Sequence, residues 1–190
     1  MTNRVNPINI EEKIDSGLLQ ISTNFLFDEI QNDNIKMIIK WIVYENTIKS
    51  TLPITLYINS IGGSLIDALA LIDVMKKSKR KVRTIGIGSI CSAAFLIFAS
   101  GEKGERYIGK NTSIMCHQFT DEISGKHHDL KAQYRETQLN EQRMLTILTE
   151  ASGLNKQTIR KTLMPPTDVW MTSAELIELK IADKYLEDLK

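Results

Sequence analysis

Apolar residues recur every three to four positions over 34–47, where Ile35, Ile38, Ile39 and Ile42 share one helical face. Pro53 breaks that pattern, and "ITLYINS" (54–60) has the short β-branched run of a buried strand. After an "IGG" turn a second helix is predicted over "SLIDALALIDVMKK" (64–77). Leu65, Leu69, Ile72 and Met75 form its apolar stripe, and Ser64 stands where an N-cap is needed. "KVRTIGI" (81–87) predicts another strand, and residues 92–100 a short apolar helix. "RYIG" (106–109) and "SIMCHQ" (113–118) read as two further strands. The texture then changes. Residues 127–150 predict one long helix with a polar centre at 135–143, and apolar residues return at Met144, Leu145, Ile147 and Leu148. Such a helix either bridges solvent or meets another subunit. A short helix leads to "PPTDVW" (165–170), and Thr172 with Glu175 has capping-box spacing at the start of a last helix. Residues 1–16 are polar with little pattern and are expected to form a flexible arm before a single domain over 17–190. The order strand–helix–strand–helix–strand predicts an α/β fold with largely parallel strands and helices packed outside.

A chain of 190 residues fits one domain and can bury a core without disulfide staples. With 24 basic against 23 acidic residues, the charge balance points to neither nucleic acid nor an anionic membrane as partner. Two cysteines, Cys91 and Cys116, are too few for a disulfide framework, and the N-terminus lacks the pattern of a signal peptide. A reducing cytoplasm is the expected setting. The stretch from Thr84 to Gly101 is free of charge for 18 residues, just short of the roughly 20 apolar residues that a spanning helix needs. Its three serines and its β-branched start read instead as a strand followed by a buried helix.

Four features of this pattern carry candidate chemistry. "INSIGGS" (58–64) ends a strand in two glycines before a helix, which is either a plain tight turn or a source of backbone N–H donors for a developing oxyanion. Ser92 opens the short apolar helix, as a cap or as a nucleophile aided by the helix N-terminus, and Ser89 competes for the capping role. His117 ends a strand and is the best placed of three histidines to act as base, since His127 and His128 sit on the long helix. Asp168 lies in a loop stiffened by Pro165 and Pro166. It is either a turn aspartate or the carboxylate that orients the imidazole.

Taken together, these stretches resemble the proteolytic subunit of Clp protease, a serine peptidase family of the crotonase-like superfamily. "LYINSIGGS" looks like that family's "YINSPGGS". "IGIGSICSAAFLIFASGEKGERY" (85–107) is similar, without a gap, to the family's segment around the nucleophile. "SIMCHQF" and "DVWMTSAELIELKIAD" (168–183) follow in the family's order, so the likeness runs from Leu56 to Leu186. It implies a crotonase-like fold of repeated ββα-type units with a protruding handle helix, here residues 127–150. It implies Ser92 as nucleophile, His117 as general base and Asp168 as its orienting acid, with the N–H groups of Gly63 and Ala93 as the oxyanion hole. It further implies two stacked heptameric rings of this subunit, no cofactor in the subunit itself, and a Clp-type AAA+ unfoldase partner that would use the ATP.

The chain also departs from the family. Ile61 replaces the proline of the double-glycine motif, Ala93-Ala94 replaces Met-Gly, and Asp121-Glu122 stands where the family has two glycines. Two acids beside the substrate strand are expected to disfavour acidic peptides. Thr167 and Val169 flank Asp168 in place of charged residues, the loop at Pro165–Pro166 is about two residues longer, and the N-terminal arm is unlike the family's. Two alternatives stay open on the sequence: a non-catalytic ring subunit, and an acyl-CoA enzyme on the same superfold.

Overall fold

The computed structural model describes residues 9–118, 120 and 123–189. Its sheet has seven strands. The main path runs β1 (Thr23–Leu26), β2 (Ile54–Ser60), β3 (Val82–Cys91), β4 (Arg106–Ile108) and β7 (Lys184–Tyr185), and every pair along it is parallel. Strand β5 (Ser113–Cys116) pairs in parallel with the upper part of β3, and β6 (Val169–Met171) lies antiparallel on β5. The expected α/β architecture with mainly parallel strands is therefore the observed one. The exception is β6, which forms just where the chain returns after Asp168.

Strand β3 is longer than its sequence pattern suggests. Gly86 and Gly88 read as the end of a strand, yet the strand continues to Cys91 because both of its edges are paired. Along one edge it meets β2; along the other, Thr84–Gly86 meets β4 and Ser89–Cys91 meets β5. The change of partner coincides with an irregularity in the β2 ladder, which steps from Ile58↔Gly86 to Ser60↔Ile90. Gly88 sits there with φ +60°, and the Asn59 side chain replaces the missing ladder bond by accepting the Ser89 N–H at 2.9 Å.

The helices pack in sequence over the sheet: α2 (Asn32–Glu45) on α3 (Leu65–Lys77), α3 on α4 (Ala93–Ala99), and α4 on α5 (His127–Ser152). Helix α4 is buried along its whole length, so the uncharged stretch is core and not membrane span. No described helix is long and apolar enough to cross a membrane. Ser64 caps α3 by accepting the Asp67 N–H, and Thr172 caps α7 (Ser173–Glu178) with Glu175 closing the box, both as their spacing predicts. Helix α5 is about 39 Å long for its 26 residues. Its burial begins only at Asn140, so the first half projects from the domain, and the second half packs on the core through Met144, Leu145 and Leu148. A short helix α6 (Lys156–Thr162) follows it.

The N-terminus differs from its expectation. Residues 10–16 are not an unpatterned arm but the first turns of α1 (Ile10–Gln20), capped by Asn9, whose side chain accepts the Glu11 N–H. Ile10, Ile14 and Leu18 recur every fourth residue, which favours a helix although none of them is fully buried. Residues 1–8 lie outside the described residues. Strands β1, β6 and β7, of four, three and two residues, are too short to show alternation in the sequence.

One buried cation joins the C-terminal ends of these elements. Arg106 on β4 is 2 % exposed. Its guanidinium donates to the carbonyls of Ala99 at the end of α4, Ala151 at the end of α5 and Lys180 before β7, and it pairs with Asp183 at 2.7 and 2.9 Å. Burial pushes the Asp183 carboxyl up, but the hydrogen bonds and charge of Arg106, with the backbone N–H groups of Arg106 and Gly104, hold it below its ordinary value. A depressed folded-state pKa means stability that is present above about pH 4 and is lost as the pH falls through the folded value. Asp183→Asn leaves Arg106 as a buried charge without its anion. It is expected to cost roughly 3 kcal/mol at pH 7, the low end for a broken buried pair because Asp183 keeps some solvent contact. Urea unfolding of wild type and variant should show that gap at pH 7 and its narrowing below about pH 4; a gap independent of pH would contradict the assignment.

Candidate active site

The parallel strands β2 and β3 end side by side, and the candidate chemistry sits just beyond their C-terminal ends, where open α/β sheets place ligands. After β2 the chain turns through Gly62 and Gly63, with φ of +105° and +137°. Only glycine serves at 62 for a second reason. A Cβ there would lie 2.7 Å from Ser92 Cβ and 2.8 Å from the Cys91 carbonyl oxygen. The turn is thus pressed against the end of β3, and neither side could move away without breaking the sheet.

Ser92 itself has φ 54° and ψ −123°, a region that L residues avoid at a cost of about 1–3 kcal/mol. The strain is held by fixed partners. The Ser92 N–H donates to the Met115 carbonyl at 2.9 Å as the last rung toward β5, and its carbonyl accepts the Phe95 N–H at 3.0 Å as the first turn of α4. The sharp strand-to-helix corner throws the side chain out of both elements. Ser92 stands at the N-cap position, but its hydroxyl does not cap α4. It lies 2.7 Å from His117 Nε2. Ser89, the rival for the cap, belongs to β3, with its hydroxyl 3.2 Å from Cys91 Sγ.

His117 follows β5 directly and is half-buried, with its Nε2 edge toward Ser92 and its Nδ1 edge toward Asp168. Its Nδ1 is 3.5 Å from Asp168 Oδ1, and Asp168 is 56 % exposed. That separation is a close approach rather than a formed hydrogen bond. With the ring proton on Nδ1, facing the carboxylate, Nε2 accepts the Ser92 O–H. The three side chains named from the sequence are therefore brought into one line, tight at the serine end and loose at the aspartate end. The pairing of β6 with β5, Cys116 opposite Val169, is what returns Asp168 to His117. His127 and His128 begin α5 on its exposed half, away from this line.

Gly63 and Ala93, the expected oxyanion donors, line one pocket of about 370 Å³ with Ser92 and His117. The Ala93 N–H belongs to the first residue of α4, where no intrahelical partner exists. Residues that the sequence left unlocated also line the pocket: Leu65 from α3, Leu96 from α4, Met144 from α5, and Thr120. Met144 was visible only as the point where apolar residues return in the long helix. That it lines the pocket with Leu65 and Leu96 is a matter of helix packing between residues 79 and 48 positions apart in the chain. Asp121 and Glu122, with the expectation about acidic peptides, lie outside the described residues.

The cysteines flank the site but are not part of it. Cys91 pairs in register with Met115, so Cys116, the next residue, faces the opposite side of the sheet. Both are free and buried. Burial pushes the Cys116 thiol up to about 12, against a weaker opposing pull from a backbone hydrogen bond at His117, so it stays a neutral, unreactive packing group.

A strained serine at a strand–helix corner, a histidine at hydrogen-bond distance and the backbone of Gly63 and Ala93 beside them form the constellation of a covalent acyl-transfer site. Comparison with known proteins gives the same direction. The chain is 32% identical over 171 residues to the ATP-dependent Clp protease proteolytic subunit 1 of Borreliella burgdorferi, covering 90% of this chain and 87% of that protein. It is 32% identical over 171 residues to the ATP-dependent Clp protease proteolytic subunit of Borreliella afzelii, covering 90% and 86%. It is 28% identical over 172 residues to the ATP-dependent Clp protease proteolytic subunit 1 of Prochlorococcus marinus, covering 90% and 87%. A profile of the Clp protease family matches residues 9–188, and the chain belongs to that family.

Proposed function

We propose that this chain is a serine endopeptidase subunit that cleaves unfolded polypeptides through Ser92, His117 and Asp168. The observation that carries the reading is the 2.7 Å contact between Ser92 Oγ and His117 Nε2 at a strained, partly buried corner. Ser92 attacks the peptide carbonyl as His117 takes its proton. The carbonyl oxygen becomes an oxyanion held by the N–H groups of Gly63 and Ala93. His117 then gives the proton to the leaving amine, and water repeats the sequence on the acyl-enzyme to release the acid. Asp168 holds the Nδ1 proton and stabilises the imidazolium. Leu65, Leu96 and Met144 offer an apolar wall to the substrate side chain next to the scissile bond.

This chemistry needs no cofactor in the subunit. The relatives' names carry the words "ATP-dependent Clp protease", and membership of the family supports a multimeric protease working with a Clp ATPase that consumes the ATP. Two stacked heptameric rings of this chain are the assembly proposed, with the projecting half of α5 as the ring-to-ring handle. The unpaired Cys91 and Cys116 fit a reducing cytoplasm. The alternative of a non-catalytic ring subunit is disfavoured by the Ser92–His117 contact. An acyl-CoA enzyme would have no use for the Ser–His pair.

A fluorophosphonate probe should add one adduct per subunit by intact mass, and Ser92→Ala should abolish it. Labelling that survives Ser92→Ala, or none in a well-folded wild-type ring, would overturn the hydrolase reading. Asp168→Asn should slow turnover of a short peptide roughly 10²-fold. That is less than the ~10⁴-fold loss seen for a fully engaged triad acid, because the contact is long and exposed. Single-turnover kinetics would measure it; an unchanged rate would remove Asp168 from the machinery.

A further inference from the structure

The oxyanion donor at Gly63 must be aimed, and the two-glycine turn cannot aim itself. We propose that Asn34, on the first turn of α2, is a positioning residue for that donor; this rests on the hydrolase reading above. The peptide joining Gly62 and Gly63 is trans, so the Gly62 carbonyl and the Gly63 N–H point in opposite directions. The Ile30 N–H donates to the Gly62 carbonyl at 2.7 Å, and the Ser64 N–H donates to the Ile30 carbonyl at 2.9 Å, a one-residue parallel bridge between Ile30 and Gly63. With the Gly62 carbonyl drawn toward Ile30, the Gly63 N–H is turned away from it, and Gly63 lines the pocket with Ser92. A Cβ on Gly63 would come 2.4 Å from the Ile30 carbonyl oxygen, so the two segments are in closest contact here.

Ile30 is in turn held by one side chain. Asn34 Nδ2 donates to the Glu29 carbonyl at 2.7 Å, and Asn34 Oδ1 accepts the Gln31 N–H at 3.0 Å. The Glu29 carbonyl and the Ile30 N–H belong to one peptide group; the Ile30 carbonyl and the Gln31 N–H belong to the next. Each peptide flanking Ile30 is therefore gripped on one edge by the Asn34 amide and holds the glycine turn with the other edge. The first link is an unbroken hydrogen-bond chain from Asn34 to the Gly62–Gly63 peptide, which carries the Gly63 donor, and each bond in such a chain polarises the next; the second link ends on the following peptide, Gly63–Ser64, and fixes the far side of the turn. Only a side chain with a donor and an acceptor at this length makes both contacts. A simple helix-capping role would use the acceptor alone.

That difference supplies the test. Asn34→Asp keeps the acceptor for the Gln31 N–H and places a negative charge at a helix N-terminus, which favours the helix. It loses the donor to the Glu29 carbonyl and sets two oxygens against each other. Asn34→Ala loses both contacts. Wild type, both variants and Ser92→Ala would be compared as full chains by the rate of fluorophosphonate labelling, by kcat and KM on a short fluorogenic peptide, and by melting temperature. Both Asn34 variants should label and turn over about tenfold more slowly with KM changed by less than about twofold, a fraction of the ~10²–10³-fold loss for deleting an oxyanion donor, because here the donor is displaced and not removed. Asn34→Asp should do so without a lower melting temperature. Wild-type kcat and labelling rate in Asn34→Asp would overturn the positioning role and leave Asn34 as a cap. Labelling unaffected by Ser92→Ala would instead sink the hydrolase reading itself.

Discussion

Strand β3 has to serve two neighbours along one edge, and the geometry of the site follows from that constraint. Its lower residues pair with β4 and its upper residues with β5, while β2 runs along the other edge with one break in its ladder. A strand that ended with β4 would stop near Gly86, well short of Ser92. Carrying β3 up to Cys91 puts the strand-to-helix corner level with the end of β5, so that Ser92 and His117 emerge from neighbouring strands. Parallel pairing requires that both chains point their C-terminal ends the same way. The nucleophile and the base then meet without any loop having to fold back.

The strain at Ser92 can be sustained because its surroundings leave no alternative. Helix α4 is buried in full behind it, with Phe95 and Phe98 contributing about 1.5–3 kcal/mol of burial each. The Met115 carbonyl fixes the peptide before the corner, and Gly62 blocks the side toward β2. Against burial on that scale, a backbone penalty of about 1–3 kcal/mol is affordable within the core. Rigidity on three sides is what a reactive hydroxyl needs, because a nucleophile that relaxed into a cap would spend its hydrogen bond on the helix.

The aspartate end is built on a different principle. Asp168 hangs from an exposed turn held by a three-residue antiparallel strand, and its carboxylate stops 3.5 Å from the ring. Strand β6 lies at an edge of the sheet, paired with β5.

The sequence by itself determined the elements whose burial is local and periodic. Strand β2, helices α3 and α4, the caps at Ser64 and Thr172, and the long helix were legible because each writes its own hydrophobic period or capping signal into adjacent residues. The residue types at Ser92, His117 and Asp168 were legible too, once the motifs around them were read together. What only the tertiary structure decided were the features held by distant partners. Strand β3 outran its glycines because β2 and β5 paired with it, and β6 exists because β5 was there to receive it. Residues 10–16 formed a helix through a sparse four-residue repeat that polar neighbours obscured. Met144 joined the pocket, and Asn34 came to hold the turn of Gly62 and Gly63, through contacts across dozens of residues. Short-range periodicity records which face of an element is buried; it does not record which other segment does the burying.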